Sequence, residues 1–340
     1  MNTLTALPRR GPARTTVALG AGAAALAGAA MLSLVLGGRP TPPADLWAVL
    51  TGQADGFTTA VVASRVPRTV VGVLVGAALA LAGTLMQGVT RNPLADPGLL
   101  GVNAGAAAAV VTATALFGTV STAEALWWAL PGALAAGLVA HAVGSGGGSG
   151  GGGAARLVLA GAVVSAVLTA YVQAVSLSMP EVFDSYRYWV VGSLAGRDFG
   201  VALTVLPVIA AAVVAAHFAA GGLNALALGE EAALSTGVNT AAVRATALVA
   251  ATAAAAAATA AVGPISFVGL AVPHIVRAMV GVDFRLQVPF ALLVGPTLLL
   301  LSDVVGRTVA RPVELMVGVV TAFVGAPVLL YVVRRMRGSA

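Results

Sequence analysis

The chain has 340 residues, of which 59% are hydrophobic and only 9% are charged, with a formal net charge of +6 and a mean hydropathy of +0.98. Soluble domains carry about 25% charged residues, so this composition excludes an ordinary soluble domain and indicates a membrane protein. The absence of cysteine excludes disulfides, thiolate metal sites and cysteine nucleophiles. Because the arginines are scattered at the ends of apolar runs, without clustered aromatic residues, we expect no nucleic-acid partner.

Long apolar runs recur along the chain at the length that a membrane helix needs, roughly 20 residues. They predict an all-α fold, a polytopic membrane protein with about ten transmembrane helices. The many glycines and alanines suit this class, because small residues let membrane helices pack closely. The predicted spans are 16–36, 68–88, 98–118, 125–143, 156–178, 200–219, 241–262, 265–281, 287–308 and 313–333.

The N-terminus carries Arg9, Arg10 and Arg14 ahead of the first apolar run. A cleaved signal peptide is one interpretation, but the run is longer than the usual apolar segment of such peptides, which favours a retained helix. We expect a cytoplasmic tail over residues 1–15 and a single transmembrane domain over 16–335. With both termini in the cytoplasm, eleven arginines lie inside and seven outside, which agrees with the excess of basic residues in cytoplasmic loops.

Four connections between the spans have a distinct character. Segment 37–64 is predicted to lie outside the membrane, with a short helix after its prolines. Segment 144–153 is almost pure glycine and serine, which is typical of a flexible linker, and it lacks the Gly-Lys-Ser/Thr of a nucleotide-binding loop. Segments 179–199 and 220–240 are the two longest of the later connections.

The turn between the second and third spans contains Asn92-Pro93-Leu94, followed by Pro97. Proline cannot donate a backbone hydrogen bond, so this segment is predicted to break the helix. On these residues alone, the segment fits both a tight membrane hairpin and a gate element.

Segment 220–240 contains Glu230, Glu231, Ala232, Ala233 and, after three further residues, Gly237. Two acids favour the first turn of a helix, and a glycine in a left-handed conformation can end it. The pattern predicts a short helix across the cytoplasmic face. It would be either a solvated surface helix or one whose small residues let a partner approach.

Asp303 is the acid that lies within a predicted span, and intramembrane acids are typical of ion-coupled secondary transporters. Arg307 follows it at i+4 and can neutralise it. No spacing of histidines and carboxylates resembles a metal site, and no motif of a membrane enzyme is present, so we expect no metal, no cofactor and no enzymatic activity.

Several ordered motifs between about residues 60 and 335 resemble a transporter family, namely the iron-siderophore, haem and vitamin B12 permeases of bacterial ABC importers, the FecCD-like type II importer permeases. The matching segments are Arg65-Val66-Pro67-Arg68, the small-residue run 76–83, the turn segment 87–101, the segment 189–196, Leu228-Gly229-Glu230-Glu231-Ala232-Ala233, the segment 263–274, Pro312-Val313-Glu314-Leu315 and Gly325-Ala326-Pro327.

The resemblance implies a permease subunit in the plasma membrane of a bacterium. It implies a second permease as partner, in a homodimer or heterodimer with the path between the protomers. It also implies a dimer of separate ABC ATPase subunits and an extracytoplasmic substrate-binding protein. Ferric siderophore is the expected cargo, with haem or cobalamin as the alternatives, and an ion-coupled secondary transporter is the rival class.

The resemblance also gives roles to individual residues. Arg65, Arg68 and Arg307 correspond to positions that dock the binding protein through its acidic residues. Segment 220–240, with Glu230, Glu231, Ala232, Ala233 and Gly237, corresponds to the element that couples to the ATPase, and Asn92, Pro93 and Leu94 correspond to a cytoplasmic gate. For the arginines, anchoring at the membrane interface or an Asp303–Arg307 pair remains open.

Overall fold

The computed structural model of the protein describes residues 12–38, 40–145 and 153–337, and every regular element in these ranges is a helix. Within the described residues, seven helices are long and apolar enough to cross a membrane, and three shorter apolar segments accompany them. The helices are α1 Pro12–Val35, α2 Pro43–Leu50, α3 Gly56–Thr90, α4 Val102–Phe117, α5 Thr122–Ser145, α6 Gly153–Ser178, α7 Pro180–Trp189, α8 Phe199–Ala227, α9 Glu230–Ser235, α10 Thr240–Val262, α11 Val268–Val280, α12 Phe284–Val309 and α13 Val317–Arg337.

Each of the ten predicted spans coincides with one of these helices, which confirms the all-α fold. The third predicted span begins with a 3₁₀ turn, Pro97–Leu100, before α4. Residues 1–11 of the expected tail and residues 146–152 of the glycine-rich linker lie outside the described residues. The predicted short helix in segment 37–64 is α2, and segment 179–199 contains α7.

Two helices are longer than the apolar pattern predicts. Helix α3 begins at Gly56 rather than at 68, because Asp55 caps it by accepting a hydrogen bond from the Thr58 N–H at 3.0 Å, and the helix continues through Pro67. Helix α8 continues to Ala227, so the predicted connection 220–240 is in fact only 228–239, with α9 inside it.

Helix α3 lies at the centre of the bundle, and most of its residues are buried. Glycines make this position possible. Gly76 lies against Gly295 and Pro296 of α12, and a Cβ at Gly83 would overlap the carbonyl of Gly269 in α11. Small residues thus set the close approach of the helices, as expected where packing must be tight within a membrane.

Helix α12 packs antiparallel to α3. Gly72 meets Leu300 near one end of the pair, and Gly88 meets Phe284 near the other. We call the end of the bundle that holds Arg65, Arg68 and Arg307 the arginine end, and the opposite end, where α8 runs into α9, the α9 end. The arginine end also contains the last turns of α1 and α12 and the start of α13.

Candidate functional site

The arginine end has Asp303 at its centre. Arg68 donates two hydrogen bonds to the Asp303 carboxylate, from Nη2 at 2.7 Å and from Nε at 3.1 Å. Arg307 lies one helical turn beyond Asp303 and contacts the same carboxylate, with 3.0 Å between Nη2 and Oδ2. Only 2% of the Asp303 side chain is exposed. One buried acid therefore holds two arginines, which offsets the cost of removing these charges from water.

Arg307 also connects α12 to α1. Its Nη1 donates to the Ser33 carbonyl at 3.0 Å, and its Nη2 donates to Ser33 Oγ at 2.9 Å. The Ser33 hydroxyl is in turn 2.8 Å from the Thr69 hydroxyl of α3. The Arg307 guanidinium is thus buried and directed into the bundle.

Arg65 caps the end of α1. Its Nη1 donates to the carbonyls of Leu34 at 2.7 Å and Val35 at 3.1 Å, and to Thr41 Oγ1 at 2.6 Å. The last carbonyls of a helix lack intrahelical donors, so this side chain satisfies them and fixes the turn toward α2. Arg65 is only 7% exposed.

The structure thus brings the three predicted docking arginines together, and it gives them unequal access to the surface. Arg68 reaches a solvent-facing group, because its Nη1 donates to Glu314 Oε2 at 2.9 Å. Glu314 lies on the connection between α12 and α13, beside the exposed Arg311. Sequence reasoning did not assign a role to Glu314 or Ser33. An acid at the edge of the last predicted span, at the membrane face that carries these arginines, was the signal for Glu314.

At the α9 end, the two adjacent glutamates differ in their surroundings. Glu230 accepts two hydrogen bonds from Arg244 of α10, at 3.0 and 3.1 Å, whereas Glu231 is exposed. Ala233 is fully buried and anchors α9, and Ala232 is exposed.

Positive φ angles at two glycines mark the limits of the α9 segment, 116° at Gly229 and 76° at Gly237. The predicted glycine stop at Gly237 therefore has the left-handed backbone that favours this residue. Two large apolar side chains, Leu228 and Leu234, project from the same segment and are exposed. The surface of α9 is thus a small apolar patch with one free acid, Glu231, among the residues that the structure describes.

The turn after α3 is held by side chains from two directions. Arg91 ends α3 with a φ of 51°, and the Asn92 side chain accepts a hydrogen bond from the Leu94 N–H at 2.9 Å. His274 of α11 places its Nε2 2.9 Å from the Pro93 carbonyl. Asn92, Pro93 and Leu94 therefore form one rigid turn, which is attached to α11.

The junction of α8 with α12 is also at the α9 end. Asn224 donates to Asp283 Oδ1 at 2.6 Å and accepts from the Phe284 N–H at 2.8 Å. Asp283 is the N-cap of α12. The start of α12 is thus fixed to the last turn of α8, next to the α9 segment.

An open groove of about 530 Å³ lies between the 3₁₀ turn and α6. Leu99 lines it from the turn, and Ser165, Thr169 and Gln173 line it from one face of α6. Uncharged polar side chains on an accessible helix face favour contact with water or with a polar surface rather than with lipid. No group of three or more histidine or carboxylate side chains that could bind a metal ion occurs within the described ranges.

Comparison with known proteins places this geometry in a family. Residues 25–335 match the sequence profile of the FecCD transport family. The chain belongs to the FecCD transport family. Among curated relatives of the family, the ferric enterobactin transport system permease protein FepD of Escherichia coli is 45% identical over 314 residues, which are 92% of this chain and 93% of FepD.

Two further matches extend the comparison. The hemin transport system permease protein HmuU of Yersinia pestis is 35% identical over 275 residues, 80% of this chain and 82% of HmuU. A solved structure described as a metal-chelate type ABC transporter in an inward-facing conformation superposes with a TM-score of 0.80 at 27% identity, covering 94% of this chain and 99% of that one. This FecCD family chain is thus a multi-pass membrane permease of the ABC importer class.

Proposed function

We propose that this permease admits ferric siderophores. The observation that carries the proposal is the 45% identity to a ferric enterobactin permease along nearly the whole of both chains. A second relative, the probable siderophore transport system permease protein YfiZ of Bacillus subtilis, is 37% identical over 80% of this chain. Haem or cobalamin is the second candidate, because HmuU and the cobalamin import system permease protein BtuC of Halobacterium salinarum are 35% and 36% identical.

The competing hypothesis of an ion-coupled carrier does not fit the family, and the geometry gives a physical reason. An ion site needs an acid that can bind and release a cation. Asp303 is instead paired with two arginines, Arg68 and Arg307. Its charge is already compensated by the fold.

We place the energy source of the transporter in a separate ATPase subunit, because the sequence has no Walker A motif. The proposed contact for that subunit is the α9 segment. Glu231, Ala232 and Leu234 provide an exposed surface with one negative charge, while Glu230 and Ala233 hold the segment on the bundle. In this assignment the α9 end, and with it both chain termini, faces the cytoplasm of a bacterium.

We place the proposed contact for the extracytoplasmic binding protein at the arginine end, on Arg68. An arginine suits the recognition of a partner carboxylate because its guanidinium is planar and stays charged. Arg65 and Arg307 contribute by fixing α1 against α3 and α12. The proposed path runs between two protomers, in a homodimer or heterodimer. The groove between the 3₁₀ turn and α6 would face this path, and the Asn92-Pro93-Leu94 turn would be its gate.

Reconstitution tests the proposed cargo. The permease, its ATPase subunit and its binding protein are placed in lipid vesicles, and uptake of a ferric siderophore is measured against uptake of haem and of cobalamin. We expect ATP-dependent accumulation of the siderophore alone. Accumulation of haem or cobalamin in its place would transfer the assignment to the second candidate. Accumulation by this chain without ATPase would contradict the proposed energy source.

The two proposed contacts are tested by separate variants. Glu231→Arg should abolish transport and weaken binding of the ATPase subunit while binding-protein docking stays intact. Glu181→Arg, an equal charge reversal on the exposed face of α7, is the matched control and should leave ATPase binding unchanged. Normal transport by Glu231→Arg would remove the coupling role of α9.

A further inference from the structure

The guanidinium of Arg68 has an inner side and an outer side. Its Nε and Nη2 point inward and are both used by Asp303, at 3.1 and 2.7 Å. Its Nη1 points outward and donates to Glu314 at 2.9 Å. Any partner carboxylate that approaches this arginine from outside the protein therefore meets a position where a carboxylate of the chain itself is already bound.

The two acids that bind Arg68 are held very differently. Asp303 lies within α12, is 2% exposed and contacts two arginines. Glu314 lies on the short connection before α13, its side chain is 39% exposed, and Arg68 is its one hydrogen-bonding partner among the residues that the structure describes. A contact with such an exposed acid is weak, because water solvates the Glu314 carboxylate when the contact opens while Arg68 keeps Asp303 as its partner. Glu314 can leave Arg68 without disturbing the Asp303 pair.

We propose that Glu314 occupies, within the chain, the position on Arg68 that an acidic residue of the binding protein takes on docking. Docking is then an exchange, in which the Glu314 carboxylate leaves Nη1 and the partner carboxylate replaces it. This inference rests on the proposed docking contact at Arg68. It adds a residue that sets the affinity of that contact.

The local charge supports the exchange. Arg65, Arg68 and Arg307 carry three positive charges against the negative charges of Asp303 and Glu314. When Glu314 turns toward water, the cluster has a larger uncompensated positive charge at its outer side. Arg311 lies three residues before Glu314, is exposed, and has no ion-pair partner within the described ranges. Arg311 thus adds a second exposed positive charge on the same connection as Glu314, which favours an acidic partner by electrostatic complementarity.

The exchange has a consequence for transport. A binding protein must leave after it has delivered its cargo, so a docking site of unlimited affinity would slow the cycle. Glu314 competes with the partner acid at every moment, and this competition weakens docking. Removing it should therefore tighten docking, which is the opposite of what is expected when an ordinary contact residue is removed.

The experiment measures docking of the purified binding protein to the permease–ATPase complex in lipid nanodiscs, by surface plasmon resonance. The principal variant is Glu314→Gln, which keeps the shape of the side chain but does not compete as a carboxylate. We expect a dissociation constant lower by about two- to fivefold, the factor that corresponds to an exposed ion pair. Glu181→Gln removes the same charge from an exposed position at the start of α7 and should leave the dissociation constant unchanged.

Arg68→Gln separates this inference from the proposed function on which it rests. If docking weakens in Arg68→Gln, the contact at Arg68 holds, and Glu314→Gln added to that variant should then have no further effect. If Arg68→Gln docks normally, the proposed docking contact is wrong, whatever Glu314 does. If Arg68→Gln weakens docking but Glu314→Gln leaves docking unchanged or weakens it, the exchange alone is wrong.

Two controls exclude trivial explanations. An equal gain in affinity for Glu181→Gln and Glu314→Gln would show a general loss of repulsion and would overturn the exchange. Thermal unfolding of each variant identifies loss of folding. If Glu314→Gln does not fold, Glu314→Asp serves in its place, because its shorter side chain draws the carboxylate away from Nη1. That variant should also dock more tightly, and unchanged or weaker docking would overturn the proposal.

Discussion

The arginine end and the α9 end are built on the same plan, with one acid held by the fold and one acid exposed. At the arginine end Asp303 is buried and Glu314 faces solvent; at the α9 end Glu230 pairs with Arg244 and Glu231 faces solvent. The held acids fix helices, and the exposed acids are placed where partners are proposed to bind. A charged residue near a membrane surface can thus have either role, and its neighbours decide which.

Each of the two held pairs has two hydrogen bonds from one arginine to one carboxylate, but the pairs differ in burial. The side chains of Arg68 and Asp303 are 13% and 2% exposed, whereas those of Arg244 and Glu230 are 33% and 43% exposed. Breaking a buried pair leaves a charge without water or partner, while breaking an exposed pair returns both charges to water. We therefore expect the same kind of substitution to have very different effects at the two ends.

The largest effect is expected for Asp303→Asn. Asparagine has the same shape, but it removes the ion pair of the buried Arg307 and leaves Arg68 with Glu314 as its remaining acid. We expect a loss of about 3–5 kcal/mol in the free energy of unfolding, measured by chemical denaturation in detergent micelles. Glu314→Gln is the control at the same arginine and should lose less than about 1 kcal/mol. Equal losses in the two variants would contradict the difference between the inner and outer sides of Arg68.

A smaller effect is expected for Arg65→Ala. The substitution removes the charge-assisted hydrogen bonds that one nitrogen, Nη1, shares between the Leu34 and Val35 carbonyls, and together we expect them to contribute about 1.5–3 kcal/mol. We expect a loss of about 2 kcal/mol in unfolding free energy and faster amide hydrogen exchange in the last turn of α1. Arg187→Ala, which alters an exposed arginine on α7, should change neither quantity. Unchanged exchange in α1 would mean that Arg65 does not cap it.

The smallest effect on stability is expected at the α9 end, where substitutions of the two adjacent glutamates should have different consequences. Glu230→Gln weakens the pair with Arg244 and should cost about 0.2–1 kcal/mol. Glu231→Gln should leave stability unchanged but should weaken binding of the ATPase subunit more than Glu230→Gln does. Thermal unfolding and a pull-down with the purified ATPase measure the two quantities. The reverse order in ATPase binding would contradict the assignment of Glu231 to the exposed contact surface.

The helices and their order could be predicted from the sequence, because each apolar run of membrane length must satisfy its backbone hydrogen bonds internally. Helix ends were harder to predict. The extension of α3 to Gly56 depends on the Asp55 cap and on a helix that tolerates Pro67. The extension of α8 to Ala227 continues an apolar run into a segment rich in small residues, where hydropathy alone does not mark the boundary.

The site was predicted only in part. The resemblance to the permease family marked Arg65, Arg68 and Arg307 as a set, and the structure brings them together. It could not show that Arg65 caps α1 or that Arg307 binds Ser33, because these contacts join residues far apart in the chain. For the same reason it did not separate Glu230 from Glu231, since the difference depends on Arg244 of the next helix.

The sequence by itself determined that this protein is a bundle of about ten membrane helices, because residue composition and run length decide whether a segment can leave water. Its ordered motifs also pointed to the transporter family. Only the tertiary structure decided which charges are buried and which are exposed. Arg68 and Asp303 are 235 residues apart, and their pairing exists because α3 and α12 pack against each other. Burial is a property of that packing, so no local pattern in the sequence encodes it.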